Sequence, residues 1–379
     1  MTLTAFKRAQ QSPQHKGSPC SRQRRRWRAG LVFLAVLPSV ACSQRNAISS
    51  ANTNTSQPNS GNSEEAVHFV SKGFTLAGTL ILPRGTQPLP AVVLFHGSGP
   101  QTRDLPTARW FAEQGVAALA YDKRGVGESD GNFQAIPFME LCNDGLAGVA
   151  YLNSRKEIDA KRIGVWGLSQ GGWLGPLAAS RSAQVAFVIA VSGPGVSPGE
   201  QMIVYYANEL QDRGLSESDV RAASNLRREI WSYKETGQGY DKTKADLETA
   251  RTKKWFKQAK AQQDDSFARL PTPAELRNVA GRSAIWFQQE AVYDSVPALH
   301  ALHVPALFLF GDHDRLLPVE KSVGVIQDVL AKHEQHDFTI RVFPHADHGM
   351  RLATGDARGE LDPEYLQTMR EWLNSRVLK

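Results

Sequence analysis

Short apolar runs punctuate the chain at Ala91-Val92-Val93-Leu94-Phe95 and at residues 116–121, 163–166 and 186–191. Each is continuously apolar rather than alternating, the mark of strands buried on both faces of a parallel sheet. Helical patterns at 106–115, 137–153 and 173–182 separate them. That alternation predicts an α/β fold with a mostly parallel sheet. Ahead of it, two extended segments at 66–71 and 74–82 meet at Lys72-Gly73 and end at Pro83, predicting an antiparallel leading hairpin.

After Gly195 the rhythm breaks. Residues 196–300 are charged and helical, with capping signals at Ser216-Glu217-Ser218-Asp219 and Thr272-Pro273-Ala274-Glu275. Aromatics recur in this stretch, among them Tyr206, Trp231, Tyr233, Trp255 and Trp286, enough for a small core of its own. A helical cap inserted here could also cover a site and line it. Sheet pattern resumes at 305–311 and 338–343, with helices expected at 319–332 and 362–377. The α/β core is therefore expected at 65–195 and 301–379, interrupted by the cap.

The first 41 residues have three parts: a basic segment ending at Arg28, an apolar run over 31–37, and Ser39-Val40-Ala41 before Cys42. This is the pattern of an export signal. Its apolar run is too short to remain as a membrane span, which takes roughly 20 residues. Ordinary signal peptidase could cut after Ala41. Ala41-Cys42 also resembles a bacterial lipobox, although Ser39 stands where Leu is usual. Residues 42–64 are rich in Ser, Asn, Thr and Gln, and are expected to be a flexible tether. A tether suits an anchored protein, so Cys42 is the expected lipidation site and the cell envelope the expected location.

The chain carries a net charge of +6. Eight Lys and Arg and no acid lie in residues 1–41, so the remainder carries −2. A body near neutrality offers no electrostatic case for nucleic acid. Of the three cysteines only Cys142 falls in the body, which excludes an intramolecular disulfide there and reads as a small buried apolar residue. The 379 residues, 41% hydrophobic and 22% charged, are ordinary for a globular protein. There is no His/Cys spacing for a metal, no G-x-G-x-x-G and no Walker loop.

Val165-Trp166-Gly167-Leu168-Ser169-Gln170-Gly171-Gly172 carries the candidate chemistry. Here a G-x-S-x-G follows an apolar strand and opens a helix, the pattern of a nucleophile elbow. Glycines at 167 and 171 remove side chains where the strand must turn sharply. A serine nucleophile needs a base of near-neutral pKa and a carboxylate to fix the imidazole tautomer. Both types lie after the two late strands, in Asp312-His313-Asp314 and His345-Ala346-Asp347-His348. Loops at that sheet edge should converge with the elbow. The acid is Asp314 or Asp312, and the base His348, His345 or His313; Asp347 reads as a turn residue. His96-Gly97-Ser98-Gly99-Pro100 follows the 91–95 strand, where glycines let backbone amides approach an oxyanion. Ser98 and Gln170 are the candidate oxyanion donors.

With these residues in view, the chain resembles the α/β-hydrolase superfamily over about residues 66–379, in particular bacterial esterases and dienelactone-hydrolase-like enzymes bordering on prolyl oligopeptidase-type peptidases. The likeness rests on His96-Gly97, the run Asp122-Lys123-Arg124-Gly125-Val126-Gly127-Glu128-Ser129, the elbow, the Gly311/Asp314/Pro318 spacing and Asp347-His348-Gly349. It implies a triad of Ser169, Asp314 and His348, and a structural role for Asp122 and Arg124. The expected function is exported serine hydrolysis of small carboxylic esters, with no metal or organic cofactor, and with membrane contact only through the lipid anchor. A peptidase or amidase using the same triad is the nearest alternative. A non-catalytic envelope binding protein on the same fold is the other.

Overall fold

Among the described residues, eight strands form one sheet in the order β1-β2-β4-β3-β5-β6-β7-β8. They are β1 (Ser63–Ser71), β2 (Phe74–Leu82), β3 (Leu89–Phe95), β4 (Ala117–Tyr121), β5 (Ile158–Leu168), β6 (Phe187–Val191), β7 (Ala306–Gly311) and β8 (Phe338–Phe343). The computed structural model describes residues 61–379 except 86, 263–266, 280, 333–336 and 353–358. The expected export signal, Cys42 and the tether up to residue 60 lie outside the described residues.

β1 and β2 pair antiparallel, β2 joins β4 antiparallel, and the remaining neighbours run parallel. The tether was expected to reach residue 64, but Ser63 and Glu64 already pair with Leu82 and Ile81. Two exposed carboxylates disguise this strand end: Glu64 is held by Arg109 at 2.7 Å and Glu65 by Arg155 at 2.9 Å. Every residue of β3, β4, β6 and β7 is buried, as continuous apolarity requires of two-sided burial.

Helices α1 (Leu105–Glu113), α2 (Phe138–Asn153) and α3 (Gln170–Arg181) connect the early strands. Helix α3 begins three residues before its expected start, because Gly171 and Gly172, poor helix formers, hide its first turn. The insertion holds α4 (Pro198–Asp212), α5 (Glu217–Thr236), α6 (Tyr240–Arg251), α7 (Phe256–Lys260), α8 (Pro273–Leu276) and α9 (Arg282–Ile285), then a π-turn over Trp286–Glu290. Ser216 caps α5 through the Asp219 amide, and Thr272 with Glu275 forms a capping box on α8.

Tyr233, Trp255, Phe256 and Phe267 belong to an apolar cluster formed within the insertion. Its final helix, α10 (Val296–His300), differs: Ala298 and Leu299 are buried in the sheet's own core. The cap therefore gives way to the core before residue 300. Helices α11 (Val319–Leu330) and α12 (Pro363–Arg376) complete the layers on the two faces. Among the described residues no helix is long and apolar enough to cross a membrane.

Candidate active site

Ser169 stands between β5 and α3 with φ 56° and ψ −118°. A non-glycine residue held there costs on the order of 1–3 kcal/mol, which the surrounding packing must supply. That packing is visible. The Ser169 amide donates to Val191 O at 2.9 Å, and the Gly172 amide to Ser169 O at 2.7 Å. A Cβ on Gly167 would lie 2.3 Å from Gly171 O, and one on Gly171 would lie 2.7 Å from Phe95 O. The helix's first turn thus crosses so close to the strands that only glycine fits.

At the ends of β7 and β8 the structure joins Asp314 to His348. Asp314 Oδ2 lies 2.7 Å from His348 Nδ1, and Oδ1 accepts the Leu316 and Leu317 amides at 2.8 and 3.0 Å. A carboxylate only accepts, so Nδ1 carries the proton and Nε2 is left as the basic nitrogen. Burial alone would push the His348 pKa down. The charge of Asp314, its hydrogen bond and the charge of Asp347 outweigh burial and hold the pKa above the ordinary histidine value. His348 Nε2 is buried and makes no hydrogen bond, to Ser169 Oγ or to any other group. Such links are often long before substrate binds.

The competing groups are placed elsewhere. Asp312 Oδ1 pairs with His313 Nδ1 at 2.6 Å and accepts the His345 amide at 2.6 Å, on an exposed surface. The His345 ring lies against His313, with centroids 5.2 Å apart. Asp347 Oδ1 accepts the Gly349 and Arg351 amides at 2.8 and 2.9 Å, which makes it a turn residue. Cys142 is buried, and burial pushes its thiol pKa up to about 12.

In the loop after β3, His96 is half-buried and its Nε2 lies 2.6 Å from Tyr121 O. Burial, then the nearby Lys123 charge, lower its pKa to about 3, so this histidine is a neutral structural donor. Gln170 opens α3, where the first backbone amides have no intrahelical acceptor and are available to an anion. Asp122 takes two bonds from the Arg103 guanidinium, at 3.0 and 2.6 Å, and Arg124 is buried against Asp144. Both serve packing in this structure. Among the described residues no group of three or more His, Cys, Asp or Glu is arranged to hold a metal ion.

Two residues at this edge escaped the sequence analysis. Lys123 is buried and donates to Gly97 O, Gly99 O and Gln170 Oε1 at 2.8, 3.0 and 2.8 Å. Glu290, from the insertion, accepts from Gln170 Nε2. A lysine flanked by buried strand and glycine turn was the available signal for the first. For the second there was only a lone acid among aromatics.

The Hydrolase_4 family, serine aminopeptidase S33, matches residues 86–352. The chain belongs to this α/β-hydrolase family. Esterase EstD of Thermotoga maritima is 32% identical over 170 residues, 42% of this chain and 40% of EstD. The quorum-quenching protein AidA of Acinetobacter baumannii is 32% identical over 127 residues, 33% of this chain and 42% of AidA. The chain thus spans about two fifths of the length of these curated relatives. A Pyrococcus furiosus esterase superposes with a TM-score of 0.52 at 17% identity, covering 86% of this chain and 95% of that one. The α/β hydrolase GrgF from Penicillium gives 0.52 at 19% identity, covering 84% and 100%. At these identities the likeness establishes the α/β-hydrolase fold.

Proposed function

We propose that this protein is an exported, lipid-anchored serine hydrolase that cleaves small carboxylic esters through an acyl-enzyme. The observation that carries the reading is the Asp314–His348 pair, 2.7 Å long with its carboxylate buried, at the same sheet edge as the strained Ser169. Ser169 Oγ attacks the ester carbonyl while His348 Nε2 takes its proton, and Asp314 holds the imidazolium in place. The carbonyl oxygen, now an anion, lies against the backbone amides of Ser98 and Gln170. Collapse of the intermediate expels the alcohol, protonated by His348. Water, deprotonated by the same nitrogen, then releases the acid and restores Ser169.

The esterase name of EstD supports ester chemistry, and the export pattern before Cys42 supports an envelope location. Replacing Ser169 by Ala should abolish hydrolysis of p-nitrophenyl acetate and labelling by a fluorophosphonate probe, with the fold intact by circular dichroism. Retained turnover would overturn the mechanism. The family's aminopeptidase description favours one second reading, amide cleavage with the same triad. Aminoacyl anilides assayed beside esters separate the two: faster anilide turnover selects the second.

A further inference from the structure

One buried nitrogen touches both segments that carry the proposed oxyanion donors. Lys123 follows β4 and is 2% exposed. Its Nζ bonds to Gly97 O and Gly99 O, the carbonyls on either side of Ser98, and to the side-chain oxygen of Gln170. An ammonium has three N–H donors in roughly tetrahedral array, so these contacts fix the Ser98 loop relative to the start of α3. Gln170 Nε2 in turn donates to Glu290, 1% exposed. Glu290 ends the π-turn, closed by the Ala291 amide on Trp286 O at 2.8 Å. Single π-turns within helices add a residue and re-aim side chains. Here the turn ends on a buried acid bonded to the first residue of α3.

We infer that Lys123 is a positioning residue that sets the separation of the Ser98 and Gln170 amides, and that Glu290 fastens the same strut to the helical insertion. The inference rests on the proposed oxyanion donors. Donors must lie about 2.7–3.1 Å from the position of the developing anion, and loss of one costs about 10²–10³ in rate. Displacing a donor by about 1 Å is of similar consequence, on the order of 10²-fold. A strut acting this way affects the tetrahedral state and leaves ground-state binding nearly unchanged.

The test uses the full-length protein, Lys123→Met and Glu290→Gln, with a butyl trifluoromethyl ketone and its secondary alcohol as probes. The ketone forms a tetrahedral adduct with the serine; the alcohol has nearly the same shape and forms none. Lys123→Met should lower kcat about 100-fold with KM changed less than about 3-fold, and weaken the ketone about 100-fold while the alcohol stays within about 3-fold. Glu290→Gln leaves every Lys123 bond to Gly97, Gly99 and Gln170 in place, and should weaken the ketone about 5–10-fold, one charge-assisted bond being exchanged for a neutral one. A purely structural role would lower thermal stability without changing the ratio of ketone to alcohol affinity. An unchanged ratio in Lys123→Met overturns the inference, and if that variant does not fold, an unchanged ratio in Glu290→Gln does so. If the wild-type protein itself neither turns over esters nor binds the ketone, the proposed function is what fails.

Discussion

Asp314→Asn is nearly isosteric, and its consequence follows from three hydrogen bonds. The carboxylate accepts the Leu316 and Leu317 amides on Oδ1 and His348 Nδ1 on Oδ2. An asparagine oxygen can keep the two backbone bonds, which turns its NH₂ toward His348. That group only donates, so Nδ1 must accept and the ring proton moves to Nε2. In the proposed mechanism Nε2 is the nitrogen that must accept the serine proton. The loss should be about 10³–10⁴ in kcat/KM, or about 4–5.5 kcal/mol at 1.36 kcal/mol per tenfold. The pH profile gives a second signature. In the proposed mechanism neutral His348 is the active form, so activity should be lost as pH falls through its pKa. In the wild type that midpoint lies above the ordinary histidine value, because the Asp314 charge outweighs burial. In the variant burial remains without that charge, and the midpoint should fall. Both quantities are read from p-nitrophenyl acetate hydrolysis, followed at the isosbestic wavelength of p-nitrophenol. A loss below about tenfold, an unmoved midpoint, or a larger loss in Asp312→Asn would refute the reasoning.

Arg124→Met should destabilise the protein by about 3–5 kcal/mol, because it leaves the Asp144 carboxylate buried without its partner. The urea midpoint measures this; Arg124→Met with Asp144→Leu should recover most of it, and a single-variant cost under about 1 kcal/mol would contradict the structural role. Cys42→Ser should abolish incorporation of an alkyne-tagged fatty acid in a bacterial host and release the protein from the membrane fraction, with esterase activity per molecule retained. An unlabelled wild-type protein would favour simple secretion after Ala41.

The sheet was legible because burial on both faces demands unbroken apolar runs, and β3, β4, β6 and β7 supply them. Its margins were less so. Ser63 and Glu64 look like tether in sequence, and it is their backbone pairing with Leu82 and Ile81 that makes them strand. The elbow was legible through the spacing of Gly167 and Gly171 around Ser169, a local pattern even though Gly171 also answers to the Phe95 carbonyl of β3. Glu290 was not, because its meaning comes from Gln170, 120 residues earlier, and from a π-turn that no periodicity announces. Lys123 sat in plain view inside Asp122-Lys123-Arg124-Gly125. Its neighbours in sequence are taken up by Arg103 and Asp144, whereas its own nitrogen bonds to Gly97 O, Gly99 O and the Gln170 side chain.

Among the described residues the same edge of the sheet carries two Asp–His pairs of almost equal length, and their difference in burial separates their chemistry. Asp312–His313 is 2.6 Å long with side chains 45% and 50% exposed. Water screens such a pair, whose coupling is worth about 0–1 kcal/mol, and both partners remain solvated and free to exchange. Asp314–His348 is 2.7 Å long with side chains 0% and 16% exposed. There the carboxylate is held by two backbone amides, the imidazole tautomer is fixed, and the opposite ring nitrogen is shielded from water without a partner. An unsatisfied buried acceptor costs roughly 1–3 kcal/mol. A proton arriving from a serine relieves that cost while placing positive charge beside Asp314. The exposed pair has no comparable gain on protonation, since water already satisfies it. Proximity of an acid and a histidine therefore does not identify a general base at this edge. The unsatisfied buried nitrogen of His348 is what favours it as the proposed base.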